Sequence, residues 1–441
     1  MKVAFYLNNA RVPDVDLTAP ENGNPGLGGT HFLATALPWY MARFAADRVT
    51  PILYANHTDK LPAVETRQAD DVLAAMRGAK EEGCDCFIDT AKETPVDVVA
   101  EADRLRLPTV FWIHNIVRHG HLRAAARSPW VRRVVCSAGE ALDFIRDHAV
   151  GPKLALIPNG FDTSAFAPET LQEKDGRTVV YLGNLVKQKG FHLLARAWPD
   201  ILARCPDARL RVIGTGRLYD RSVPLGPWGV ATDTYEQRFL LPYLAADNGQ
   251  PLPSVDFLGL LEGTDRIPVM RDAAVGVVNP SGQTENCPGS ALEFQAAGTP
   301  VVSGAYWGLL DTVIHGETGL LGRTDQDLVD NICRLLEDRQ RAMAMGRRGT
   351  EYVSTHYDYR DVVAAWIALL GDVSADRPAS RVSPTKHFWR HLKWLRLANE
   401  AQKRAVPLLW SLPSVSETEN FIRAVKKNLR PNPGRKAFTR S

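Results

Sequence analysis

Residues 277–320 read VVNPSGQTENCPGSALEFQAAGTPVVSGAYWGLLDTVIHGETGL, with seven residues between Glu285 and Glu293. Ala274–Val278, at the head of this stretch, has the length and composition of a buried strand. A polar turn carrying Glu285 follows it. A small-residue helix is predicted to begin near Gly289 and to carry Glu293 among Ala291, Leu292, Phe294, Ala296 and Ala297. A helix that apolar faces a core, and a carboxylate inside it is costly unless something satisfies it. The helix start offers free backbone N–H groups and the positive end of the dipole, which suits an anion. One acid before that start and one a turn inside it could grip a sugar hydroxyl, a phosphate and a ribose in a row.

This stretch resembles the nucleotide-sugar signature of retaining family 4 glycosyltransferases, which have the GT-B fold. The likeness continues through GTPVV at Gly298–Val302, Gly308, and GETGLL at Gly316–Leu321. It implies an α/β protein of two doubly wound, Rossmann-like parallel-sheet domains facing a cleft. It also implies transfer of a sugar from a nucleotide diphosphate sugar with retention of configuration. In that family the first glutamate contacts the donor sugar and the second the ribose, roles that fall to Glu285 and Glu293. Neither a metal nor a cofactor is implied beyond the nucleotide sugar as co-substrate.

The bulk composition agrees with a soluble chain of this size. At 441 residues there is room for two hydrophobic cores. Hydrophobic content of 45% and charged content of 23% are ordinary for globular domains. The six cysteines show no metal-ligand spacing, and Cys84-x-Cys86 reads as strand packing. The start, MKVAFYLNN, has no basic-then-apolar leader, and no apolar run reaches the roughly 18 residues of a membrane span. The expectation is a cytoplasmic protein.

Strand-like and helix-like segments alternate twice. In residues 1–166, strands are predicted at Lys2–Asn8, Pro51–Tyr54, Cys86–Ile88, Thr109–Ile113, Val134–Cys136 and Leu154–Ile157, separated by helical patterns. Residues 167–176 read as a linker. In residues 177–355 strands are predicted at Thr178–Leu182, Arg209–Ile213, Val255–Leu258, Val275–Val278 and Val301–Ser303, with an insertion at 218–254. A helix over 356–370 would cross back to the first domain, and 371–441 is a basic extension. Such alternation predicts two parallel sheets covered on both faces, with ligands at the carboxyl ends of the strands.

Several other residues fit a donor site. In YLGNLVKQKG, 181–190, a strand ends in Gly183 and a basic loop leads into a helix. The family's form there is Gly-Arg-x-x-x-x-Lys-Gly, whose two cations clamp the diphosphate. Lys189 matches, but Asn184 stands where arginine is expected, and an amide cannot grip phosphate as a charged fork does. Lys187, or Arg217 after Gly214-Thr-Gly216, is a candidate for the missing cation. Gly28 and Gly29 resemble the family's N-terminal glycine loop, where a Cβ would block close approach. His114, at the end of Thr109–Ile113, resembles the family's histidine near the donor sugar. A second departure is Pro288, where the family has glycine. Proline donates no N–H, so ligand contacts in that loop fall to Cys287, Gly289, Ser290 or Ala291.

The formal charge of +3 hides an asymmetry. Residues 371–441 hold 15 Lys/Arg against 5 Asp/Glu, a net +10, which leaves −7 for the rest. Residues 371–385 read as a linker. Over Lys386–Arg404 a helical period puts Phe388, Leu392 and Leu395 on one face and Arg390, Lys393, Arg396, Lys403 and Arg404 on the other. Such a helix, with Trp389, Trp394 and Trp410, could make peripheral contact with the inner face of an anionic membrane through 386–410. The competing expectation is packing on the N-terminal domain with snorkelling cations. No fold signature for nucleic acid accompanies the charge.

These readings together predict a retaining, metal-independent glycosyltransferase whose partners are a nucleotide sugar and a glycan or lipid-linked acceptor. Asn184 and Pro288 motivate a second class of function, a degenerate, non-catalytic sugar-nucleotide-binding protein. A third is another GT-B chemistry such as sugar-nucleotide epimerisation.

Overall fold

The computed structural model describes residues 1–91, 95–115, 117–166, 174–217, 222–283, 285–387 and 390–429. Most of the predicted linker 167–176, the first residues of the insertion, and Phe388 and Trp389 lie outside them.

Seven parallel strands form the first sheet: β1 (Lys2–Leu7), β2 (Thr50–Ala55), β3 (Glu65–Gln68), β4 (Cys86–Asp89), β5 (Thr109–Ile113), β6 (Val131–Cys136) and β7 (Leu154–Leu156). Their order is β3-β2-β1-β4-β5-β6-β7. Six form the second: β8 (Thr178–Leu182), β9 (Arg209–Ile213), β10 (Val255–Gly259), β11 (Val275–Val278), β12 (Val301–Gly304) and β13 (Gly319–Gly322). Their order is β10-β9-β8-β11-β12-β13, again all parallel. Both orders reverse once, between β1 and β4 and between β8 and β11. These are the switch points at which doubly wound sheets open a crevice for ligands.

The central strands are buried on both faces, which is why they read as continuous apolar runs. The edge strand β3, ETRQ, has no apolar run, and only its pairing with β2 reveals it. The helix that the sequence places at Tyr235–Ala246 in the insertion is broken: a short helix Asp233–Tyr235 runs into a π-helical segment Glu236–Leu240 and then Leu241–Leu244. Glu236 there is fully buried and accepts from the backbone N–H groups of Trp228, Val230 and Ala231.

After the second sheet the helix Tyr359–Ser374 packs on the first. Trp366 and Val363 join Trp112, Leu37 and Met41 in one core cluster, and Tyr359 stacks on Tyr40 at 3.6 Å between ring centroids. Tyr40 also donates to Asp162 at 2.8 Å.

The extension differs from its sequence reading twice. Residues 375–385 are not a loose linker: Arg133 donates to the Arg377 carbonyl, Arg132 pairs with Asp376, and Thr385 bonds Asp143 and Glu140. The second difference is the orientation of the helix Lys393–Ala405, three of whose four cations neither snorkel nor face solvent. Lys393, Arg396 and Lys403 are buried against the helix Gly139–Ile145 and the turn after it, while Trp394 and Leu395 point out. The cause is a nest of buried acids on that surface. Lys393 reaches Glu140 at 2.7 Å and Asp143 at 2.9 Å, Arg146 joins Asp143 to Glu400, and Lys403 donates to the Asp147 carbonyl. Buried charge is tolerated only when paired in this way.

Candidate active site

A cleft of about 1010 Å³ lies between the two sheets. Its walls come from the carboxyl ends of β1, β5, β8, β9 and β11 and from the loops and helix starts that follow them. Glu285, Glu293, His114, Lys189, Asn184, Gly183, Gly289, Ser290, Gly28 and Gly29 all line it. Lys187, Arg217 and Ala291 do not. Lys187 is exposed in the 3-10 turn Lys187–Lys189, and Arg217 turns its guanidinium to the Val223 carbonyl at 2.7 Å. Ala291 is fully buried, and its N–H is already given to the Pro288 carbonyl inside the helix Gly289–Ala296. Among the described residues, the amides of Gly289 and Ser290 at this helix start have no acceptor.

Glu285 sits in the loop after β11, 8% exposed. Its Oε1 receives Lys189 Nζ at 2.5 Å and Asn279 Nδ2 at 2.9 Å. Lys189 is delivered from the neighbouring strand β8 by the turn that ends in Gly190, so the pair spans the switch point. The loop is pinned where Gly308 N–H donates to the Glu285 carbonyl; a Cβ on Gly308 would meet the Asn286 carbonyl oxygen at 1.2 Å. Only glycine allows that approach.

Glu293 answers the cost of an acid in an apolar helix through Arg266. The guanidinium donates Nε to Oε2 at 2.8 Å and Nη2 to Oε1 at 3.0 Å. Its Nη1 reaches the Gly263 carbonyl at 2.7 Å and, on the opposite domain, the Asn24 carbonyl at 2.9 Å. Arg266 also lines the cleft, a buried cation where Lys187 and Arg217 place none.

Neutral polar groups complete the wall. Asn184 is 2% exposed, and neither Oδ1 nor Nδ2 has a hydrogen-bond partner among the described residues. Asn286 Nδ2 and His114 Nε2 are likewise buried and unpaired. Burial drives the His114 imidazole down to about 3, so it is neutral at physiological pH. An unpaired buried polar atom is costly, and four of them on three side chains of one cleft describe a surface built to be satisfied by a ligand.

Arg266, Asn279 and Asn286 were not singled out by sequence reasoning. A signal for Arg266 exists: an arginine opening the short run Arg266-Ile-Pro-Val-Met270, just before a buried strand, needs an acid to pair with. A cluster outside the cleft lining, His119, His148 and Glu417, brings three potential metal-ligating atoms within 4.8 Å of one another. Arg123 lies 2.5 Å from Glu417 Oε1 and His148 Nδ1 accepts from Val150 N–H, while His119 Nδ1 and His148 Nε2 have no hydrogen-bond partner among the described residues.

Residues 176–338 match the family model described as Glycosyl transferases group 1. Over 288 residues the chain is 31% identical to the GDP-mannose-dependent alpha-(1-6)-phosphatidylinositol monomannoside mannosyltransferase of Mycobacterium tuberculosis, a span covering 58% of this chain and 69% of that one. The chain belongs to the group 1 glycosyltransferases. This glycosyltransferase is also 30% identical over 244 residues to the D-inositol 3-phosphate glycosyltransferase of Corynebacterium aurimucosum, covering 50% of this chain and 52% of that protein. Among solved structures, sucrose-phosphate synthase from Thermosynechococcus elongatus aligns with a TM-score of 0.63 at 18% identity, over 85% of this chain and all (100%) of that one. HepE from Anabaena in complex with UDP aligns at 0.60 and 18%, over 84% and 100%. At such identities the likeness establishes the architecture, which is GT-B.

Proposed function

We propose that this glycosyltransferase moves a sugar from a nucleotide diphosphate sugar to a glycan or lipid-linked acceptor, with retention and without a metal. The observation that carries the reading is the Lys189–Glu285 pair at the switch point, beside the open amides of Gly289 and Ser290. Departure of a nucleoside diphosphate needs positive charge and N–H donors at the leaving oxygens. Lys189, Arg266 and the two amides provide these, and a preorganised donor of this kind is worth about 3–4 kcal/mol. On donor binding, Lys189 exchanges part of its contact with Glu285 for phosphate, and Glu285 turns to a sugar hydroxyl. His114, neutral and unpaired at Nε2, offers the sugar a hydrogen bond without adding charge. Glu293, held by Arg266, takes the ribose. Attack from the leaving-group face, with no protein nucleophile, gives retention. The named relatives make GDP-mannose the first donor to try and an inositol lipid the first acceptor.

A second reading, a non-catalytic sugar-nucleotide binder, draws on Asn184 in place of the family's arginine. Thermal shift against a panel of GDP- and UDP-sugars finds the donor, since a ligand of the folded state raises its melting point. Transfer and donor hydrolysis are then measured for wild type and Glu285→Gln. The transferase reading requires wild-type turnover that falls at least about a hundredfold in the variant. Donor binding by both proteins with turnover by neither favours the binder. An epimerised donor recovered from the wild-type reaction would point to epimerisation instead.

A further inference from the structure

We propose that the outward face of the C-terminal extension docks on an anionic lipid bilayer. The inference goes beyond sugar transfer and does not depend on it.

The helix Lys393–Ala405 is inverted relative to an ordinary amphipathic helix. Positions 393, 396, 400 and 403, one stripe at three- and four-residue spacing, are all charged and all buried. The opposite stripe, through Trp394, Leu395, Ala398, Ala401 and Ala405, is exposed and carries no charge. The inversion is held by Glu140, Asp143 and Asp147, so the helix cannot roll its apolar side inward without stranding buried ions. The same exposure continues beyond the helix. Of thirteen exposed large hydrophobic side chains among the described residues, nine fall within 392–425. Leu408 is 82% exposed and Phe421 68%. Surface apolar groups scattered singly need no explanation, but this concentration in one short segment does.

Charge selects the occupant. Exposed cations accompany the apolar side chains, among them Arg381, Arg404, Arg423 and Lys426. Residues 371–441 carry a net +10 and the remainder −7. Two copies meeting through this face would bring like charges together. An anionic bilayer supplies what both features lack, hydrocarbon for the apolar stripe and negative headgroups for the cations. It also repels the acidic body, which orients the molecule with its extension toward the lipid. Trp394 suits the boundary between headgroup and acyl chain.

The test is co-sedimentation of the full chain with phosphatidylcholine vesicles and with vesicles that also contain phosphatidylglycerol. Wild type is expected to pellet with the anionic vesicles, less so as salt rises, and to stay in solution with the neutral ones. Leu408→Ser combined with Phe421→Ser should lower the bound fraction about tenfold at an unchanged melting temperature. Arg423→Glu with Lys426→Glu, on a fully exposed segment, should do the same by charge alone. Equal soluble fractions of wild type with both vesicles would overturn the proposal. So would a concentration-dependent dimer in sedimentation velocity that the Leu408/Phe421 variant converts to monomer, because the occupant would then be a second copy of the chain.

Discussion

Arg266 and Glu293 form a buried bidentate pair, at 2.8 and 3.0 Å, and Arg266 Nη1 crosses the cleft to the Asn24 carbonyl while also holding that of Gly263. One guanidinium thus ties the acid assigned to the ribose to the glycine-bearing loop of the other domain. Arg266→Ala leaves Glu293 buried without its cation, a loss of about 3–5 kcal/mol. Chemical denaturation measures it. The double variant with Glu293→Leu should recover much of the loss, since the two changes remove the same interaction.

The glycines of the cleft separate into two kinds. A Cβ on Gly289 or Gly29 would meet no atom within 4 Å, whereas on Gly308 it would strike the Asn286 carbonyl. Gly289→Ala should therefore fold with a melting temperature close to wild type while weakening donor binding about tenfold or more by crowding the phosphate. Gly308→Ala should lose both stability and binding, because the Glu285 loop cannot keep its course. Calorimetric melting and donor titration on both variants test the contrast.

Asp311 gives a pH dependence of defined sign. Burial pushes its carboxyl up to about 7, with Glu140 and Asp143 nearby adding to the shift against the backbone N–H of Glu140. An acid whose pKa is higher folded than unfolded binds a proton in the folded state first. Its contribution is fully present below about pH 4 and is lost as pH rises through 7. Asp311→Asn should flatten that part of the stability profile and exceed wild type above pH 7. Melting temperatures of the two proteins across this range decide it; parallel curves would refute the assignment.

Beneath the extension, Lys393 closes the ion network on Glu140 and Asp143. Lys393→Met keeps the length of the side chain but leaves Glu140 and Asp143 short of a cation. It should cost about 3–5 kcal/mol. Lys426→Met, on an exposed position, should change stability by less than about 0.5 kcal/mol.

The alternation of strands and helices was legible because parallel strands buried on both faces are apolar throughout, as VVYL and VGVV are. The pair Glu285 and Glu293 was legible because fixed spacing around a strand–helix turn survives without any knowledge of the rest of the chain. β3 was not, since an edge strand of four polar residues is defined only by its neighbour. Lys187 and Arg217 were reasonable cations by position, but a side chain's direction is set by which carbonyl or acid lies within reach. Arg217 found Val223, and Arg266, forty-nine residues later, found Glu293. The extension marks the boundary most clearly. Sequence alone determined that 386–404 has a helical period with a charged face and an apolar face; the helix itself spans Lys393–Ala405. Which face turns inward was decided by Glu140, Asp143 and Asp147, some 250 residues away. A helical period specifies two sides of a cylinder, whereas the choice between them depends on the charge of the surface it meets.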